Sequence, residues 1–160
     1  MPSPGDPPIQ SVQHAANLLA RGLARGQTYA QVSAAYPQHF RHLGQAERLQ
    51  VRQYARDADL IRQALADAPP GTPISDLPEY IQARGGVPVA SVTVPFGQPS
   101  PRSGRYSRYE TANIPITGAA TLASIGEEAG EAVQYSSSHC GEDMQEQMEI
   151  VLLPFDLEAS

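Results

Sequence analysis

The chain of 160 residues has no lysine, a single cysteine and no long hydrophobic run. A single cysteine, Cys140, excludes a disulfide within the chain. No apolar run approaches the roughly 18 residues needed to cross a bilayer. Residues 1–8 also lack the basic and apolar segments of a signal peptide. We therefore expect a soluble protein of a reducing cytoplasm, or one that is incorporated into a virion after assembly.

Because lysine is absent, all eleven basic residues are arginines. Arginine makes bidentate and stacking contacts that lysine cannot, so this bias is compatible with an interface role. The charges are also unevenly distributed: residues 1–67 carry a net +2 and residues 68–160 a net −8, which together give the −6 of the whole chain. Opposite charges in the two parts predict two modules with different partners, as in an adaptor protein.

Proline and glycine positions divide the chain into four segments. Residues 1–8 contain four prolines and are predicted to be a tail without regular structure. A helical unit follows at residues 9–67. Residues 68–86 form a proline-rich linker with a short helical turn, interpreted as a hinge or spacer. Residues 87–160 form a small acidic unit of about three strands and one helix, so the predicted fold class is α+β.

The helical unit shows apolar residues at spacings of three and four, which predicts three helices. The first runs from residue 9 to about Gly26. The second covers residues 29–36, with Thr28 as its N-cap and Pro37 ending it. The third covers residues 43–66, and its predicted apolar face consists of Leu43, Ala46, Tyr54, Ala58, Ile61 and Leu65. The opposite side of this helix carries an arginine row made of Arg48, Arg52 and Arg56.

In the acidic unit, apolar residues begin to recur at every second position. Alternation from Val87 predicts a half-buried strand with Ser91 and Thr93 facing water. A second strand is predicted over residues 105–116, where Pro115 removes a backbone donor and favours either an edge strand or the end of a strand. Residues 122–133 follow helical spacing, with an exposed side made of Glu127, Glu128 and Glu131. The last apolar segment, residues 148–153, predicts a central strand.

Arginine and tyrosine alternate in one further segment, residues 102–109. Such a segment supplies the anchors that are typical of protein interfaces, and we prefer this interpretation to nucleic-acid binding because the surrounding unit is acidic. The candidate interface residues are therefore Arg48, Arg52, Arg56, Arg102, Arg105, Tyr106, Arg108 and Tyr109.

Other polar groups do not form a recognisable catalytic or metal-binding motif. The segment around His139 and Cys140 contains hydroxyl, imidazole, thiol and carboxylate groups, but neighbours in sequence rarely meet as a nucleophile and its base, so we interpret it as a polar loop. His39 and His42 lack the further ligands that a metal site needs. We predict no catalytic residue, no metal and no cofactor.

These patterns predict a non-enzymatic subunit or adaptor of a larger protein assembly, with protein partners or further copies of itself, such as a bacteriophage or other viral structural or accessory protein. The alternative is a DNA-binding regulator whose helical unit is similar to a helix-turn-helix and whose acidic unit dimerises. The connection from Tyr36 to Leu43 is longer than a tight helix-turn-helix turn, which weakens this alternative. A small enzyme using His139 and Cys140 is the third hypothesis.

Overall fold

A computed structural model describes residues 9–83, 89–99, 101–102, 106–133 and 149–155. The predicted α+β class is confirmed: N-terminal helices precede a small antiparallel sheet with one further helix. The helices are α1 (Ile9–Ala24), α2 (Tyr29–Ala35), α3 (Pro37–Phe40), α4 (Gln45–Asp67), α5 (Pro78–Gln82) and α6 (Leu122–Val133), with a 3-10 turn at Ile74–Asp76. The strands are β1 (Val89–Pro99), β2 (Tyr106–Pro115) and β3 (Glu149–Leu153). The proline-rich tail, Arg105 and the segment around His139 and Cys140 lie outside the described residues.

Helix α2 begins as the sequence predicts, with Thr28 as its N-cap. The Gln31 backbone N–H donates to Thr28 Oγ1 at 3.2 Å, and the Thr28 backbone N–H donates to Gln31 Oε1 at 2.9 Å. This reciprocal pair satisfies two donors at the helix start. Helix α3 was not predicted, because Pro37 was interpreted only as the end of α2. Proline also suits the first position of a helix, and Pro37 starts α3 there.

Helix α4 buries one face and exposes the arginine row, as its periodicity predicts. The buried side chains of the helix are Val51, Ala55, Ala58, Ile61 and Leu65. The expectation that Ala46 shares this face is wrong, because burial along α4 begins only at Val51 and the first turn is exposed.

The sheet has the strand order β2-β1-β3, with both pairs antiparallel. In the centre of the register, Val92 lies opposite Ala112 on one side and Ile150 on the other. Strand β2 lies at an edge, which is one of the two alternatives that Pro115 favours. The prediction of a central position for the last strand is wrong, because β3 is the other edge strand. Its apolar sequence is explained by α1 and α4, which pack against it.

Strand β1 is buried on both faces from Val89 to Val92, so the expectation of a half-buried strand is wrong at Ser91, whereas Thr93 is partly exposed. Val89, Ala90, Ser91 and Val92 are each at most 4% exposed. Arg21 of α1 reaches Ser91 from one side. Helix α6 packs on β1 and β2, and its side chains Ile125 and Ala129 are buried. The sheet therefore packs against helices from both parts of the chain, α1 and α4 on β3 and α6 on β1 and β2.

Among the described residues, one hydrophobic core runs from the helical unit into the sheet. Residues 68–83 take part in it, since Ile74 and Leu77 are buried. The 3-10 turn is also tied to the segment after β2: the Ile74 N–H donates to the Ala120 carbonyl at 2.8 Å and the Ser75 N–H to the Gly118 carbonyl at 3.0 Å. The helical unit and the sheet therefore pack together, a question that the sequence left open.

Candidate functional site

A surface groove of about 310 Å³ lies where α2, α3 and the first turn of α4 meet. The groove is lined by Tyr29, Ser33, Ala34, Pro37, Phe40, Arg41 and Arg48, and we call it, together with the Arg52 side chain that stacks on Tyr29, the basic groove. It combines an apolar floor with cationic side chains, a combination that suits an amphipathic, acidic partner.

The floor of the basic groove is an aromatic pair. Phe40 is only 4% exposed, so it is fixed in the core. The ring of Tyr29 packs edge to face on Phe40, with centroids 5.5 Å apart and planes at 89°. This geometry is favourable for aromatic rings. Because Pro37 starts α3 one residue after the end of α2, the two aromatic side chains are held close together.

Three arginines surround this floor. The Arg52 guanidinium lies over the Tyr29 ring, with Cζ 4.2 Å from the ring centroid, in a cation–π contact. Arg48 Nε donates to the Leu43 carbonyl at 3.1 Å, which holds its side chain at the start of α4. Arg41 is exposed in the turn after α3. These side chains concentrate positive charge beside an apolar surface.

Glu47 lies beside Arg48 in the first turn of α4, whereas Asp57 and Asp59, further along the helix, are engaged with other side chains. Asp59 Oδ1 accepts from Arg62 Nη2 at 2.8 Å and from Arg62 Nε at 3.2 Å, and its Oδ2 accepts from Gln63. Asp57 accepts from Gln53 at 2.9 Å. Within the described part of the chain, neither Arg48 nor Arg52 forms an ion pair with a carboxylate. The basic groove therefore keeps its positive charge.

The predicted interface residues fall in two places. Arg48, Arg52 and Arg56 are all exposed on α4, and the first two belong to the basic groove. Arg102 is exposed in the turn after β1. The backbones of Tyr106, Arg108 and Tyr109 lie in β2, while their side chains, like Arg105, lie outside the described residues.

Sequence reasoning missed Tyr29, Phe40 and Arg41 as members of the site. The available signal was the density of aromatic residues between positions 29 and 40 immediately before an arginine, which helical periodicity alone does not highlight. His39 packs on His14, with ring centroids 5.7 Å apart. Among the described residues, no group of three or more histidine, cysteine or acidic side chains is placed to hold a metal.

Arg21 joins the helical unit to the sheet at a second polar position. Burial lowers the pKa of the Arg21 guanidinium from its ordinary value, the nearby Arg25 lowers it further, and Tyr36 acts in the opposite direction. Arg21 Nη2 donates to Ser91 Oγ at 3.3 Å, while Arg25 forms an exposed ion pair with Glu149 at 3.9 Å. We interpret this pair of contacts as structural, since they connect α1 and the turn that follows it to the strands.

Helix α6 carries the opposite charge on its exposed side. Glu127, Glu128 and Glu131 are exposed there, whereas Ile125 and Ala129 are buried against the sheet. We call these three glutamates the acidic face. The molecule therefore presents one basic and one acidic surface on elements that belong to a single core.

Comparison of the chain with models of known protein families, with curated proteins and with solved structures found no match. Among the helices that the structure describes, none is both long enough and apolar enough to cross a bilayer.

Proposed function

We propose that this chain is a non-enzymatic subunit or adaptor that assembles with further copies of itself, and that the basic groove is one of its contact surfaces. The observation that carries the proposal is the placement of Arg41, Arg48 and Arg52 around the Tyr29 and Phe40 rings. Arginine and tyrosine are enriched among the residues that anchor protein interfaces, particularly where an apolar surface lies beneath them.

The distribution of charge over one body supports the same proposal. Because the helical unit and the sheet share a core, the basic groove and the acidic face are held in a fixed relation. Complementary charges steer association and fix the orientation of two partners. A structural or accessory role in a bacteriophage or other virion stays a prediction from the composition.

Light scattering on the full chain tests this proposal. We expect the mass to rise above the 17.1 kDa of one chain as protein concentration increases. Added salt should reduce the mass at a given concentration, because exposed charges are screened. A mass of one chain at every concentration, in low salt, would contradict the proposal.

The alternative is a DNA-binding regulator, and the observation in its favour is the exposure of Arg48, Arg52 and Arg56 at intervals of one helical turn. Two of these side chains are engaged in the basic groove, Arg52 with Tyr29 and Arg48 with the Leu43 carbonyl, which favours the protein contact. Salt-dependent retardation of duplex DNA by the full chain would support the alternative. An unchanged mobility of the DNA at low salt would exclude it.

A further inference from the structure

We propose that the basic groove of one copy binds the acidic face of helix α6 of a second copy. This inference rests on the proposed function and names the two surfaces through which the copies meet. The basic groove supplies Arg41, Arg48 and Arg52 beside an aromatic floor, and the acidic face supplies three carboxylates.

The acidic face is directed away from the core of its own copy. Ile125 and Ala129 hold α6 on the sheet, so Glu127, Glu128 and Glu131 lie on the exposed side. The sequence of α6 contains no basic residue that would neutralise them. Within the described residues, none of the three carboxylates forms an ion pair with an arginine.

The charges on the two helices have the same spacing. Arg48 and Arg52 are four residues apart on α4, and Glu127 and Glu131 are four residues apart on α6. In each helix this separation corresponds to a rise of about 6 Å. When α6 lies along α4, two carboxylates therefore meet two guanidinium groups at the same time. Arg41 offers a third guanidinium for Glu128, and arginine bonds to carboxylates are strong because both groups are charged.

The contact must join two copies. Helix α6 packs on β1 and β2, while the basic groove is built from α2, α3 and α4. Among the described elements, none of these three helices makes more than a marginal contact with α6. The two surfaces are different, so the contact is of the head-to-tail kind, and one copy can bind two neighbours. Such contacts produce rings when the rotation closes and filaments when it does not.

Paired charge reversals test the contact. The groove variant is Arg48→Glu with Arg52→Glu, and the helix variant is Glu127→Arg with Glu131→Arg. Each variant alone should associate at least about tenfold more weakly than the wild type, because two attractions become repulsions. In an equimolar mixture, the intact basic groove of the helix variant meets the intact acidic face of the groove variant. The reversed groove and the reversed helix also carry opposite charges, so the mixture should regain the association that each variant alone has lost.

A matched control uses two exposed acids outside α6. Asp67→Arg with Asp76→Arg makes the same change in charge as the helix variant and should leave association unchanged. Circular dichroism establishes that each variant is folded. If a reversal prevents folding, the milder pairs Arg48→Gln with Arg52→Gln and Glu127→Gln with Glu131→Gln replace it, with weaker association expected for both.

Two outcomes separate this inference from the proposed function. If the wild type associates and both reversal variants associate equally well, or if their mixture does not regain the lost association, the pairing of basic groove and acidic face is wrong while self-assembly stands. The outer edge of β2 is then the contact to test. If the wild type is a single chain at every concentration, both proposals fail.

Discussion

Helix α4 and strand β1 are the central elements of the two parts of the molecule, and they differ in how far their own sequences determine their burial. The buried side of α4 follows its helical period, with its arginine row exposed. Strand β1 alternates apolar and hydroxyl residues, yet Ser91 is only 4% exposed because α1 lies over it. The exposure of a helix face thus follows from its own amphipathicity, whereas that of a strand face depends on what distant segments place on it.

This difference changes the meaning of the charge division near Pro69 and Pro70. The two parts of the chain carry opposite charge, but their buried side chains form one core. The division therefore separates two surfaces of one body. The two parts of the chain should therefore unfold together, while the basic groove and the acidic face remain available for contacts between copies.

The largest expected effect is that of Leu153→Ala, which tests whether the two parts share their stability. Leu153 lies in β3, is 2% exposed and belongs to the core that includes α1 and α4. Truncating a buried leucine costs about 3 kcal/mol of unfolding free energy. Denaturation followed by the helical circular dichroism signal should shift by this amount. The control, Leu49→Ala, removes a leucine that is 61% exposed and should change little. An unchanged helical transition in Leu153→Ala would mean that the helices unfold independently of the sheet.

A smaller loss is expected for Gly22→Ala, which tests close packing within the helical unit. A Cβ at Gly22 would clash with Val32 Cγ2 of α2. Helix propensity alone would favour alanine by about 1 kcal/mol, whereas overpacking costs about 1–3 kcal/mol. We therefore expect a net loss in denaturant unfolding. Val32→Ala makes room for the new methyl group, so the double variant should lose less than the sum of the two single losses. Strict additivity would exclude the clash as the cause.

Local signals predicted much of the fold. The bounds of α6, the N-cap of α2 and the edge position of β2 all follow from residues inside or next to each element. Helix α3 was missed because proline both ends one helix and starts another. Strand β3 was assigned to the centre of the sheet because its apolar sequence reflects α1 and α4, which lie far away in the chain.

The candidate site, like the fold, was predicted only in part from local signals. The exposure of Arg48, Arg52 and Arg56 follows from the period of one helix. The meeting of Arg52 with Tyr29, and of Tyr29 with Phe40, depends on the angles between α2, α3 and α4. Those angles are set by tertiary packing, which a periodic pattern does not encode. The sequence therefore indicated Arg48 and Arg52 and missed Arg41 and the aromatic floor.

Removal of the N-cap of α2 should have a moderate effect on the helical unit. Thr28→Ala loses the side-chain acceptor for the Gln31 N–H and should cost about 1 kcal/mol of unfolding free energy. Thr28→Asn retains an acceptor at the same position and is the matched control, with a loss of a few tenths of a kcal/mol at most. Thermal unfolding of both variants measures the difference. Equal losses in the two variants would show that the hydrogen bond is not the source of the effect.

The smallest change in stability is expected for Arg52→Ala, although this residue is central to the proposed contact. Its cation–π contact with Tyr29 is at an exposed site and is worth about 0.5–1 kcal/mol. The loss should disappear in a Tyr29→Leu background, where the ring is absent.

Arg56→Ala, one helical turn further along α4, is the matched control and should leave the unfolding free energy unchanged, since it has no such contact with Tyr29. A loss from Arg52→Ala that persists without the Tyr29 ring would contradict the stacking contribution.

Light scattering on the same variants distinguishes an effect on folding from an effect on assembly. If Arg52→Ala weakens association by far more than it destabilises the chain, its guanidinium acts mainly on the partner copy. If Arg52→Ala has equally small effects on association and on stability, the Arg52 side chain contributes only its contact with the Tyr29 ring.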